Sequence, residues 1–120
     1  MLNNQIKIRI SNGPATAMGP GKAELLALIN DYGSISAAAK QMKMSYRRAW
    51  QLVDEVNKCF DQPLVASSVG GSHGGGAKLT EFGVKVLENY HALIAKSQEA
   101  SVQELAFIRA HLKSPIESIN

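Results

Sequence analysis

The stretch GSISAAAKQMKMSYRRAWQLV, Gly33 to Val53, decides the fold. It reads as two short helices joined by a tight turn, and it carries four Lys and Arg with no acid before Asp54. Ser34 is placed as an N-cap whose hydroxyl accepts an early backbone N–H, and Ile35, Ala38, Ala39 and Met42 repeat at i, i+3, i+4 and i+7. The two alanines let a second helix cross closely, as a helix-turn-helix requires. Lys43-Met44 is the turn, with Met44 as its apolar plug and Ser45 as the next cap. The turn position most often held by Gly is Lys43, so a positive φ there costs about 1 kcal/mol relative to Gly.

The following helix is predicted from about Tyr46 to Phe60. At 100° per residue Ala49, Leu52, Val53, Val56 and Phe60 fall on one side, and Arg47, Gln51, Glu55 and Lys58 fall opposite. The outward face therefore begins with Arg and Gln. These two side chains read base edges, Arg bidentate to guanine and Gln bidentate to adenine, and a recognition helix presents its N-terminal residues to the major groove. Arg48 lies on a flank and suits a phosphate. Tyr46 and Trp50 share the other flank, where packing against a neighbouring element is the first reading of Trp50 and a backbone contact the second. Asp54 and Glu55 would repel phosphates, which limits groove contact to about the first two turns.

Upstream, Gln5 to Ile10 alternates Ile6, Ile8 and Ile10 with Lys7 and Arg9, the period of a half-buried strand. Ser11 to Gly21, rich in Gly and Pro, is expected to be a loop. From Lys22 a helix is expected, with Leu25, Leu28, Ile29 and Tyr32 as its apolar stripe and Gly33 as a left-handed C-cap.

Downstream, Leu64 to Val69 and Ala77 to Thr80 flank Gly70 to Gly76, five glycines in seven residues. Two strand-like runs around such a tip make a hairpin, and a hairpin after a helix-turn-helix is a wing. Its backbone amides could approach phosphates closely, with His73 and Lys78 adding charge. A mobile linker is the bland alternative. A phosphate-binding P-loop fails on spacing, because Gly76-Ala77-Lys78-Leu79 lacks the Gly-Lys-Ser/Thr run. Thr80 can cap a final helix over Glu81 to Leu112. Leu87, Tyr90 and Ile94, then Leu105, Ile108 and Leu112, follow a helix–helix seam, weakened or bent where Ser97 and Ser101 hold the register. About 30 residues of helix span about 45 Å, more than one small domain covers, so a partner chain is expected on part of it.

At 120 residues with 45% hydrophobic content, the chain holds one domain with a real core. Residues 1–80 are expected to form the winged helix-turn-helix, and residues 81–120 a dimerisation helix and tail. The fold class is α+β, mostly α. A single Cys59 excludes an internal disulfide, and no signal sequence or membrane-length apolar run occurs, so a cytosolic location is expected. The basic excess is confined to residues 1–80, nine Lys and Arg against five acids. That pattern fits a polyanion footprint, although a merely solvated basic surface has the same charge.

Gly33 to Ala39, the run MSYRRAW at Met44 to Trp50, and Gly70 to Ala77 with Leu79-Thr80 and Gly83 resemble the N-terminal winged-helix domain of the molybdate-responsive ModE regulators, which is similar to the LysR-type DNA-binding domain. The resemblance covers about residues 20–95. It implies a homodimeric regulator reading an inverted repeat in double-stranded DNA, with recognition helix and wing on the DNA and the terminal helix, helped by the first helix, at the dimer interface. Full-length members carry oxyanion-binding domains, for which a chain ending at Asn120 has no room; a stand-alone form is expected, and molybdate binding by this chain is doubtful. His73 stands where the family's wing usually has Lys, exchanging a permanent charge for a titratable one.

The expected DNA contacts are Arg47 and Gln51 for base readout, with Ser36, Lys40, Lys43, Ser45, Tyr46, Arg48, His73 and Lys78 positioning the backbone. The expected dimer interface is Leu87, Tyr90, Ile94, Leu105, Ile108 and Leu112. No cofactor or metal is expected, and catalysis is not: the histidines lack HxxxH or HExxH spacing, and Cys59 has no second thiol. The rival function is a winged-helix adaptor that binds protein, or a regulatory subunit for a separate effector-sensing chain.

Overall fold

The computed structural model of the chain describes residues 6–68 and 75–113. In order these form β1 (Ile10–Asn12), β2 (Ala15–Met18), α1 (Pro20–Tyr32), α2 (Ile35–Gln41), α3 (Tyr46–Cys59), β3 (Val65–Ser68), β4 (Gly76–Leu79), α4 (Glu81–Ala100) and α5 (Val102–Ala110). The architecture is a mostly helical α+β winged helix-turn-helix, with β1–β2 and β3–β4 as two separate antiparallel hairpins.

The local signals in the central stretch fold as their chemistry dictates. Gly33 closes α1 in the left-handed region, φ 80°, and its N–H donates to the Ile29 carbonyl. Ser34 and Ser45 accept from the N–H groups of Ala37 and Arg48, each at 3.0 Å. Lys43 takes φ 56°, the positive value the turn demands. Ala38, Ala39 and Ala49 are buried where α1, α2 and α3 cross. Met18, Leu25, Leu26, Ile29, Val56 and Leu64 fill the centre of the core.

Three expectations change. Residues 6–9 form no ladder; the strand begins at Ile10, and its partner is the segment expected to be a loop. Gly13-Pro14 is the turn of that hairpin, Gly13 at φ 61°. Proline cannot adopt positive φ at the second position, so of the two common hairpin turns only type II′ is compatible. The Ile8 carbonyl instead accepts a 2.6 Å hydrogen bond from the Tyr90 hydroxyl, and burial raises that phenol's pKa above its ordinary value. Second, α1 starts two residues early, because Pro20 at its first position has the right φ and no N–H to satisfy. Third, the terminal helix, expected over Glu81 to Leu112 with a weak or bent middle at Ser97 and Ser101, breaks at that place: Ser101 leaves helical geometry, and its hydroxyl donates to the Ser97 carbonyl, separating α4 from α5.

The wing is fastened at both ends. The Asn57 side chain accepts from Leu64 and Val65 N–H groups and donates to the Val65 carbonyl, which ties the start of β3 to α3. Ala77 N–H donates to the Gly33 carbonyl at 2.9 Å, which ties β4 to the end of α1. The first turn of α4 then passes under Leu64: the Thr80 hydroxyl accepts from Gly83 N–H, and a Cβ at Gly83 would lie 2.1 Å from the Leu64 carbonyl oxygen. No helix among the described residues is long and apolar enough to cross a membrane.

Candidate nucleic-acid interface

Helix α3 divides lengthwise into four strips. Ala49, Val53 and Val56 face the core, with Leu52 and Phe60 partly buried against it. Arg47 and Gln51 stand outward and exposed. Arg48, Leu52 and Glu55 face a cleft shared with Arg9 and the start of α1. Tyr46, Trp50 and Asp54 face the wing.

Ser36, Lys40, Lys43, Ser45, Tyr46, Arg47, Arg48, Gln51 and Lys78 are all exposed, on α2, the turn, α3 and β4. Among the described residues, none of the five cations in that set is held in an ion pair. His73 lies outside the described residues. The wing-side cleft, of about 370 Å³, brings Ser36 and Tyr46 together with Ser67 and Gly75 to Ala77. Arg48 opens on the opposite cleft, and Lys40, Lys43, Arg47, Gln51 and Lys78 line neither.

Both acids of α3 are held by cations of the same chain. Asp54 pairs with Lys58 one turn on, at 2.9 Å. Glu55 pairs with Lys22, whose ammonium also donates to the Thr16 carbonyl and whose side chain is buried. The Lys22 hydrogen bond and charge hold the Glu55 carboxyl below its usual pKa. Glu55 therefore serves as a tie between α3 and α1, and its charge is drawn away from the outward strip. Sequence reading missed this pair, the Asn57 clamp and the position of Trp50, which is 49% exposed beside the wing with Tyr46 at 55%. Trp50's angular place on the flank was readable; that none of the described elements covers it was not.

Of the expected dimer residues, Leu87, Tyr90 and Ile94 pack on the chain's own core, with Tyr90 3% exposed. Leu105 is half-buried, whereas Ile108 and Leu112 are 56% and 50% exposed. No group of three or more His, Cys, Asp or Glu that could hold a metal ion occurs among the described residues.

No family model matches the chain. It is 36% identical over 99 residues to transcriptional regulator ModE of Haemophilus influenzae, covering 82% of this chain and 38% of that protein. It is 38% identical over 81 residues to the DNA-binding transcriptional dual regulator ModE of Escherichia coli, covering 68% of this chain and 31% of the relative. Molybdenum-pterin-binding protein MopB of Rhodobacter capsulatus is 44% identical over 78 residues, 65% of this chain and 29% of its own length. The chain thus spans about a third of the length of these relatives. With helix, turn and wing in the expected order and these identities across most of its residues, the chain is a ModE-type winged-helix domain.

Proposed function

We propose that this chain binds double-stranded DNA sequence-specifically and regulates transcription of molybdate-related genes, reading an inverted repeat as a homodimer and acting without catalysis. The observation that carries the reading is the outward strip of α3: Arg47 and Gln51 are exposed at the helix's N-terminal end, with unpaired cations on either side of them. A helix mounted on a core through Ala49, Val53 and Val56 offers its other face to a groove about 12 Å wide. The names of the Haemophilus and Escherichia relatives supply the regulatory role.

Selection of bound duplexes from a random pool tests the proposal. Enrichment of two inverted half-sites about one helical turn apart is expected. Binding no tighter than to random DNA at moderate salt overturns it and favours the protein-binding adaptor.

A further inference from the structure

Trp50 follows the fully buried Ala49 on α3, yet it is itself 49% exposed, and Tyr46 one turn before it is 55% exposed. Leaving an indole half in water forgoes a large share of the burial such a side chain can give. Tryptophan is favoured where its ring meets an apolar surface and its N–H meets a polar one, and no described element supplies both to Trp50.

The geometry of α3 shows what could. A helix with its side chains is about 10–12 Å across and the major groove is about 12 Å wide, so a helix seated there meets both sugar-phosphate walls. At about 100° per residue, Arg48 stands about 100° to one side of Arg47, while Tyr46 and Trp50 stand about 100° and about 60° to the other. The two walls therefore meet different chemistry. One meets the cation of Arg48. The other enters the cleft of about 370 Å³ between α3, the start of α2 and the wing, where no Lys or Arg stands among the described residues. What this cleft offers is neutral: the hydroxyls of Ser36, Tyr46 and Ser67 and the indole N–H, none of them hydrogen-bonded to another described residue. Asp54, one turn beyond Trp50, lines the same cleft and repels any second phosphate.

We propose that Trp50 is a DNA-positioning residue: its indole packs on one deoxyribose of the strand that runs between α3 and the wing, and the hydroxyls of Tyr46, Ser36 and Ser67 donate to the adjoining phosphate. The sugar turns C–H groups toward the ring, and the phosphate is met by hydrogen bonds without a cation. This contact sets the register of α3 in the groove and carries no base preference, because every nucleotide presents the same sugar. It also adds affinity without releasing counterions, unlike the contacts of Arg48 and Lys78. The inference rests on the DNA-binding reading above and adds to it a residue outside its cationic set.

Titration of the full 120-residue chain with the selected duplex tests it, read through the chain's single tryptophan. On adding DNA, Trp50 of the wild type is expected to become shielded from acrylamide, a neutral quencher, with its emission shifted to the blue. Trp50→Ala is expected to raise Kd about tenfold on selected and random duplexes alike with the slope of log K against log salt unchanged, and Trp50→Phe to recover most of the loss. Replacing the thymines of a half-site by uracil, one at a time, should leave this contact as it was. A wild-type chain that binds no duplex overturns the DNA reading and this seat together. Specific binding that leaves Trp50 as open to acrylamide as before, or a Kd untouched by Trp50→Ala, overturns the seat alone. So does a uracil position whose loss disappears in Trp50→Ala, since the indole would then read a thymine methyl. Should circular dichroism show Trp50→Ala to be unfolded, quenching of the wild type decides, because a tryptophan that only props the wing keeps its accessibility when DNA binds.

Discussion

Lys43 sits in the left-handed region where the helix-turn-helix bends, and the bend is fixed by hydrogen bonds from Met42, Lys43 and Met44 back to the last turn of α2. A lysine there carries backbone strain that Gly does not, partly offset by the entropy Gly loses on folding. Lys43→Gly is expected to raise unfolding stability by about 0.5–1 kcal/mol while removing one cation from the proposed DNA face. Denaturant melts and salt-dependent DNA binding read the two effects separately; unchanged or lower stability would mean that the side chain contributes something the strain does not exceed. Arg47 is the opposite case, exposed and outside the core, so its truncation should leave the fold intact. Arg47→Ala is expected to cost about 1–3 kcal/mol on the selected site and to relax base preference at one position per half-site. Equal losses on specific and random DNA would assign it to a phosphate instead.

At the scale of elements, the tie between α1 and α3 is the buried Lys22 with Glu55. Glu55 has a folded pKa below its usual 4.5, so its contribution to stability is complete above that value and is lost as pH falls through the lowered one. Glu55→Gln should lower the melting temperature at neutral pH and flatten its decline in acid. An acid limb identical to wild type would show that the pair does not stabilise the fold. What could be read from sequence divides along the same line. Gly33, Ser34, Lys43, Ser45 and Thr80 were legible because each acts on backbone within a few residues of itself. Lys22 and Glu55 lie 33 residues apart, and nothing local marks either as buried or paired. The Ile6–Ile8–Ile10 alternation suggested a strand, but the hairpin register is set by Gly13-Pro14, further on. In α4 two adjacent stripes, 83/87/90/94 and 82/86/89/93, are apolar but for Asn89, and helical period alone cannot tell which meets the core. Side-chain volume decides it here: Gly83 is the one residue that fits beneath the Leu64 carbonyl, and this sets the rotation of the helix.

For the molecule as a whole, the question is how much charge meets DNA. Lys40, Lys43, Arg48 and Lys78 are the exposed cations assigned to phosphates, with Arg47 assigned to a base. Each phosphate neutralised releases counterions and contributes about −0.9 to the slope of log K against log salt, so one chain gives about −3.6 and a dimer about −7. Lys22 is excluded because it is buried against Glu55, and Lys58 because it pairs with Asp54. The slope therefore measures stoichiometry and footprint together. Titrations on the selected site across 50–200 mM salt, the range over which the dependence is steep, are expected to give a value near −7. Lys78→Ala, which removes one wing cation per chain, should reduce its magnitude by about 2 and weaken specific and random sequences alike. A wild-type slope near −3.6 would place a single chain on the DNA, and a slope indifferent to Lys78 would leave the wing off the phosphates, with binding carried by α3 alone.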